Sequence, residues 1–341
     1  MSRKKKPSMT DIATHLNISK NAVSLALNQK QGVSKELREQ ILKVAEELGY
    51  GEFAKNRKSA RSILVMVPER IMGYEDNDHF LFYHDLIWGV ERSIKERGVQ
   101  PVIAKIDRSM EQNLTLPQLF DDIDFEGVIL FGIVSENYAR MVYQQGCPLV
   151  LFDSYYHDIH CPVVTSANFE GGYQAVKHLI ENGHRSIGFI GPTNLTSSHE
   201  ERYFGYWKAM QDHNLIPFDG LLRFKGYQEN KQEIQKYVSQ LKERPSAIFC
   251  GNDRMAILLM DVFREQNIRV PEDISIVGFD DLELAATANP RLTTIQVHKQ
   301  EMCEAAIDMT LRTSDNKKHA LIKWEVPGEF ISRDSVKDVS R

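Results

Sequence analysis

Lys20, Asn21, Ser24 and Asn28 are the side chains in this chain whose types and spacing most clearly suggest chemistry. In a helix starting at Ser19 they fall on one outward face, opposite Val23 and Leu27. Lysine can donate to guanine O6 and N7, and asparagine can pair both ways with adenine N6 and N7. Each well-placed pair discriminates between bases by about 1–3 kcal/mol. Lys20 suits a phosphate as well as a base, and Ser24 suits phosphate better, where most protein–DNA hydrogen bonds go. Leu25 has no donor, so it is expected to touch a thymine methyl or to pack. Ser8, Thr10 and Ser34 complete the expected DNA-contacting set, with Lys55 and Arg57 further on. The run Arg3 to Lys6 should add salt-sensitive, sequence-blind affinity.

The elements that must position these groups are legible. Ile12, Ala13 and Leu16 recur at helical spacing; Asn17-Ile18 breaks the pattern, and Ser19 can cap a new start. Val23, Ala26 and Leu27 form the next apolar stripe. Two short helices joined by a tight turn are how a protein enters the major groove. A third helix is capped by Ser34, turns Ile41, Val44, Ala45 and Leu48 inward, and ends at Gly49-Tyr50-Gly51. Residues 1–61 hold thirteen Lys/Arg against six Asp/Glu, a net of +7, which leaves −12 for the remainder of a chain whose total is −5. A basic head on an acidic body suits a head that meets phosphate.

Beyond residue 61 buried β-rich runs alternate with helical patterns. Strands are expected at 62–67, 100–104, 127–131, 148–152, 186–190, 246–250 and 274–278, and helices at 83–97 and 172–182. This reads as α/β with parallel sheets covered on both faces, too long a series for one sheet, hence two Rossmann-like lobes. Ligands of such sheets bind beyond the strand carboxyl ends. Those ends carry Asp153, Asn252-Asp253 and Asp280-Asp281. The polar tail from Ile331 is expected to be disordered. The four cysteines, 147, 161, 250 and 303, have no metal or redox spacing, so no metal and no cofactor is expected. No apolar stretch is long enough to cross a bilayer and none follows the basic start, so a cytoplasmic protein with no membrane partner is expected.

The ordered set Ala22-Val23-Ser24, Asn28, Val33-Ser34, Gly49-Tyr50, Gly127 to Leu130, Gly183-His184-Arg185, Arg202 with Gly205-Tyr206, Asn252-Asp253, Val270 to Asp281 and Pro290 to Ile295 is similar to the lactose-repressor (LacI/GalR) family of bacterial transcription regulators. The likeness spans nearly the whole chain. It implies an all-α headpiece at 1–50, a hinge at 51–62, and a periplasmic-binding-protein-like core at 63–333. Lobe 1 is expected at about 63–162 plus 296–323, lobe 2 at about 163–295 plus 324–333, and a tail at 334–341. It further implies a homodimer on palindromic double-stranded operator DNA, controlled by a small-molecule effector resembling a sugar or glycoside. Arg202 falls in the family's effector-contacting arginine slot and Asp280 in its acidic slot; Asn252 and Asp153 also match polar pocket positions. An arginine fork donates to hydroxyl oxygens, a carboxylate accepts from hydroxyls, and rings cover apolar sugar faces. Tyr227, Phe82, Tyr83 and Phe131 are the aromatic candidates. Other readings stay open: Asp280 or Asn252 as helix caps, Arg202 in a structural salt bridge. Relatives carry a leucine wedge in the hinge where this chain aligns Arg57, which points to a less bent operator or to a plain basic tether. The chain shows no apolar heptad after Ile331, so a dimer rather than a tetramer is expected.

A sugar-binding transport component would share the core but would lack the headpiece. An enzyme would need a nucleophile–base or metal-spaced set, and none converges here. His184 reads as a turn and strand-start residue.

Overall fold

Serine and asparagine set the helix boundaries at the N-terminus. In the computed structural model α1 (Met9–Leu16) opens with Ser8, whose hydroxyl accepts from the Asp11 amide while Asp11 reaches back to the Ser8 backbone, a reciprocal capping box. Asn17 ends it in the left-handed region at φ 53°. Ser19 accepts from the Ala22 amide at 3.1 Å and starts α2 (Lys20–Leu27). Ser34 accepts from the Leu37 amide and starts α3 (Lys35–Glu47). The apolar stripes meet in one small core of Ile12, Ala13, Val23, Ala26, Ile41, Val44, Ala45 and Tyr50.

The structure describes residues 8–27, 33–48, 50, 61–72, 77–192, 196–218, 222–224, 231–241, 243–315 and 322–340. It divides into two units, Met1–Ala60 and Arg61–Arg341. Hinge residues Lys55 and Arg57, together with Asn28 and Tyr227, lie outside the described residues.

The second unit begins with β1 (Ser62–Pro68), α4 (Asn77–Glu96), β2 (Gln100–Ile106), α5 (Arg108–Asn113), α6 (Leu119–Asp122), β3 (Gly127–Phe131), α7 (Glu136–Tyr143), β4 (Leu149–Phe152) and β5 (Val163–Ser166). It continues with α8 (Asn168–Glu181), β6 (Ile187–Pro192), α9 (Ser197–Asp212), β7 (Leu222–Phe224), α10 (Lys231–Gln240), β8 (Ala247–Cys250), α11 (Asp253–Glu265), β9 (Ser275–Val277) and α12 (Glu283–Thr287). It closes with β10 (Thr294–Gln296), α13 (Lys299–Asp315), β11 (Lys323–Val326) and β12 (Glu329–Ile331).

These strands form two parallel sheets. The first has the order β11-β5-β4-β3-β1-β2 and the second β7-β6-β8-β9; β10 and β12 make a separate antiparallel pair. Fully buried runs such as Ile63 to Val67 and Gly127 to Phe131 explain the parallel pairing, since helices cover both faces. Two features differ from expectation. Strands β5 and β11 pair with each other in the first sheet, so 163–166 and 324–326 belong to lobe 1, not to lobe 2. The tail is ordered, not disordered. It lies along β9, the open edge of the second sheet: Ile276 N donates to Ser335 O at 2.9 Å, and Ser335 Oγ donates to Ile276 O at 2.6 Å. A polar composition is no bar to order where an edge strand offers unpaired backbone groups.

Helices α8 and α9 approach each other through glycine. A Cβ on Gly205 would stand 2.2 Å from the Phe169 carbonyl, and one on Gly172 would stand 2.5 Å from the Arg202 carbonyl. No larger residue fits at this crossing.

Candidate functional site

On the first unit, Lys20 is exposed and Ser24 and Leu25 are half-buried on α2, whose inner face holds Val23 and Ala26. Asn21 lies in the first turn of the same helix. Ser8 and Thr10 are exposed at the start of α1, and Ser34 is exposed at the start of α3. Ser8 and Ser34 each use the hydroxyl as a helix cap.

In the second unit a polar cluster forms where strand ends from both sheets meet α8 and α9. Arg202, on α9, is buried at 3% exposure. Its Nε donates to Asn168 Oδ1 at 2.9 Å, and its Nη1 donates to the Gly251 carbonyl at 2.7 Å. The same Nη1 stands 3.1 Å from Asp280 Oδ1, an ion pair without the alignment of a hydrogen bond. The guanidinium lies 3.7 Å from the ring centre of Phe279. The contacts come from three segments, the start of α8 and the ends of β8 and β9, and the close α8–α9 crossing lets Arg202 reach Asn168.

Asp153 follows β4 and is also buried. Its Oδ2 accepts from the Tyr83 hydroxyl at 3.0 Å, and its Oδ1 has no hydrogen-bond partner. Its backbone carbonyl accepts from Ser198 Oγ at 2.8 Å, at the start of α9. Burial pushes the Asp153 carboxyl up to about 7; Arg202 and the Tyr83 hydroxyl pull the other way. Burial also raises Asp280, against the opposing pull of Arg202 and Lys299. Both acids have positive φ, 65° at Asp153 and 115° at Asp280. Backbone strain of this kind concentrates where a side chain must be held in one direction.

The structure resolves several open readings. Asp280 caps no helix: α12 has no side-chain cap, and the Leu282 amide donates to Asp253 Oδ2 at 2.8 Å. Asp281 instead takes Arg333 at 2.6 Å and Gln296 at 2.9 Å. Asn252 does cap α11, accepting from the Met255 amide at 2.8 Å. Arg202 does make the salt bridge, and makes it with a partner from the expected set. Phe131 is wholly buried between Tyr83 and Phe152, with ring centres 6.4 and 4.9 Å away. Its ring packs edge-on against Tyr83 and exposes no face of its own. Phe82 is buried, with the Lys299 ammonium 5.3 Å from its ring centre. Asn168 and Phe279 are members of the cluster that sequence reasoning missed. Phe279 stood within the quoted run before Asp280, and Asn168 follows the unrecognised strand β5.

Next to Arg202, Glu201 faces the other lobe. Its Oε1 accepts from Tyr155 OH at 2.8 Å and from Lys323 Nζ. His184 bridges Ser246 Oγ at 3.0 Å and the Lys337 carbonyl at 3.1 Å, a structural role, and burial lowers its pKa. None of the four cysteines is in a disulfide, and burial pushes Cys161 and Cys303 up to about 12, which makes them poor nucleophiles. Among the described residues no helix is long and apolar enough to cross a membrane, and no group of His, Cys, Asp or Glu gathers as a metal site.

Comparison with known proteins agrees with this anatomy. Residues 8–51 match the family described as bacterial regulatory proteins, lacI family, and residues 176–336 match a periplasmic binding protein-like domain. The chain is 31% identical over 306 residues to the NTD biosynthesis operon regulator NtdR of Bacillus subtilis (strain 168), covering 88% of this chain and 91% of that protein. It is 27% identical to the HTH-type transcriptional repressor PurR of Aliivibrio salmonicida (strain LFI1238), covering 96% and 98%. Its fold is similar to that of the transcriptional regulator CelR in complex with cellobiose, at 23% identity and TM-score 0.69 over 96% of this chain and 99% of that one. The lac repressor dimer bound to operator and the anti-inducer ONPF has the same TM-score at 21% identity, over 98% and 100%. The chain belongs to the lacI family of bacterial regulatory proteins: it is a DNA-binding transcriptional regulator and not an enzyme.

Proposed function

We propose that the protein represses transcription in the cytoplasm as a homodimer on a two-fold-symmetric operator. Its affinity for that operator is set by a small polyhydroxylated effector, a sugar or glycoside, held by Arg202, Asp280, Asp153 and Tyr83. Lys20, Asn21, Ser24, Leu25 and Asn28 read the bases, while Ser8, Thr10, Ser34, Lys55 and Arg57 meet the backbone or the minor groove.

The observation that carries the effector reading is the buried Arg202 guanidinium flanked by two buried carboxylates, each of which keeps an oxygen with no hydrogen-bond partner. Sugar hydroxyls donate to carboxylates, and sugar oxygens accept from a guanidinium. Two acids against one buried cation suit a neutral ligand better than a phosphate. The solved CelR structure holds cellobiose, which supports the same class. A ligand that prefers one arrangement of the lobes shifts operator affinity, and operator DNA shifts ligand affinity by the same factor.

Calorimetry of the full chain against a panel of mono- and disaccharides, their phosphates and free nucleobases tests the proposal. A neutral saccharide should bind, and Arg202→Met should abolish its binding. Binding only by phosphorylated compounds or nucleobases, or saccharide binding untouched by Arg202→Met, would overturn the assignment.

A further inference from the structure

Arg38 contradicts the preference of its own helix. It stands in the first turn of α3, where the helix dipole disfavours a cation. Its half-buried side chain turns instead to α2: Nη1 donates to the Ala26 carbonyl at 2.9 Å and to the Leu25 carbonyl at 3.4 Å. These belong to the last four carbonyls of an eight-residue helix, which have no partner within that helix. α2 carries no basic residue in its own last turn, so the positive charge that suits its negative end comes from a side chain twelve residues past Ala26. A helix of this length does not hold itself together in water. A residue that breaks a local rule while satisfying a distant one points to a role beyond its own element.

We propose that Arg38 is a positioning residue for DNA reading. It pins the C-terminal turn of α2, and with it the angle at which Ser24 and Leu25 meet the groove. The inference rests on the reading of α2 as the base-contacting helix. The rival role is a direct phosphate contact. The two differ in what salt does: a lost phosphate contact lowers the slope of log affinity against log salt, whereas a loosened helix lowers affinity for the right sequence and leaves the slope alone.

The test uses the full chain and two duplexes. One is selected by the wild-type protein from a random-sequence pool, and the other is unrelated and of the same length. Arg38→Ala removes donor and charge; Arg38→Gln keeps an N–H donor without the charge. Arg38→Ala should weaken binding to the selected duplex by about tenfold or more, and to the unrelated duplex by less than about threefold, at unchanged salt slope. Arg38→Gln should fall between Arg38→Ala and wild type. Hydrogen exchange of peptides covering 20–27 should quicken while those covering 9–16 keep their protection. If Arg38→Ala unfolds the headpiece, Arg38→Gln alone decides.

Equal weakening on both duplexes with the salt slope reduced by about 0.9 per headpiece makes Arg38 a phosphate contact. No change on either duplex also overturns the proposal. Asn21→Ala, carried through the same selection, separates the two failures. If it selects the wild-type sequence, the reading of α2 and this inference fall together. If it selects another sequence while the Arg38 variants behave as phosphate losses, only the role of Arg38 falls.

Discussion

Replacing Asp153 by asparagine should stabilise the core, and by an amount that grows with pH. Burial raises the Asp153 carboxyl to about 7 from an ordinary value of 3.8. A raised acid is protonated in the folded state while the unfolded state has already lost its proton. Its stability contribution is therefore complete below the unfolded value and drains away as pH climbs through the folded one. The gap of about three pH units, at about 1.4 kcal/mol per unit, sets a ceiling of about 4 kcal/mol. An asparagine in its place would be neutral at every pH, and its amide oxygen can still accept from the Tyr83 hydroxyl. Asp153→Asn should match wild type near pH 4 and exceed it progressively up to about pH 7, by no more than that ceiling. Urea unfolding followed by tryptophan emission is the assay, because Trp88, Trp207 and Trp324 all lie in the second unit and the headpiece is silent. The same variant should lose its response to saccharide while keeping its affinity for DNA. A stability difference from wild type that stays flat between pH 5 and pH 8 would refute the assignment of a strained, proton-holding acid to this position.

Gly205→Ala places a methyl 2.2 Å from a backbone carbonyl, so it should cost about 2–4 kcal/mol by the same urea assay, an overpacking penalty with no flexible neighbour to yield. Arg202→Ala leaves Asp280 buried without its cation and should destabilise by about 3–5 kcal/mol; Asp280→Asn in the same chain should recover part of that loss in denaturant titrations. Burial lowers the pKa of His184, so its contribution is intact above its unfolded value near 6.5 and fades as pH falls below it. His184→Gln should remove that part of the decline between pH 6.5 and 5, visible as a flatter melting temperature against pH.

The parts legible in the sequence were those written locally. Serine caps and apolar spacing marked the headpiece helices, and the unbroken apolar runs of β1 and β3 marked central strands. Strand β11, Lys-Trp-Glu-Val, gave no such sign: as an edge strand it buries only Val326, so it carries no apolar run and no alternation. Strand β5 is four residues long, too short to stand out. Which sheet each joins depends on partners that lie far apart in the chain, which explains why the lobe boundary fell on the wrong side of both. The buried cluster around Arg202 shows the same split. Asp280 and Asp153 were legible because each follows a recognisable strand, and Arg202, inside α9, only through the family resemblance. Asn168 escaped because it follows the strand that was not recognised. The ordered tail was hidden because its partner is backbone, the exposed edge of β9, and backbone leaves no mark on composition.

Glu201 and Arg202 are consecutive on α9, yet one is held by Tyr155 and Lys323 while the other sits against the buried acid Asp280. Adjacent residues of one helical turn thus tie Lys323, on the edge strand of the first sheet, to the buried cluster at the strand ends of the second, so a single element joins the two sheets through side chains.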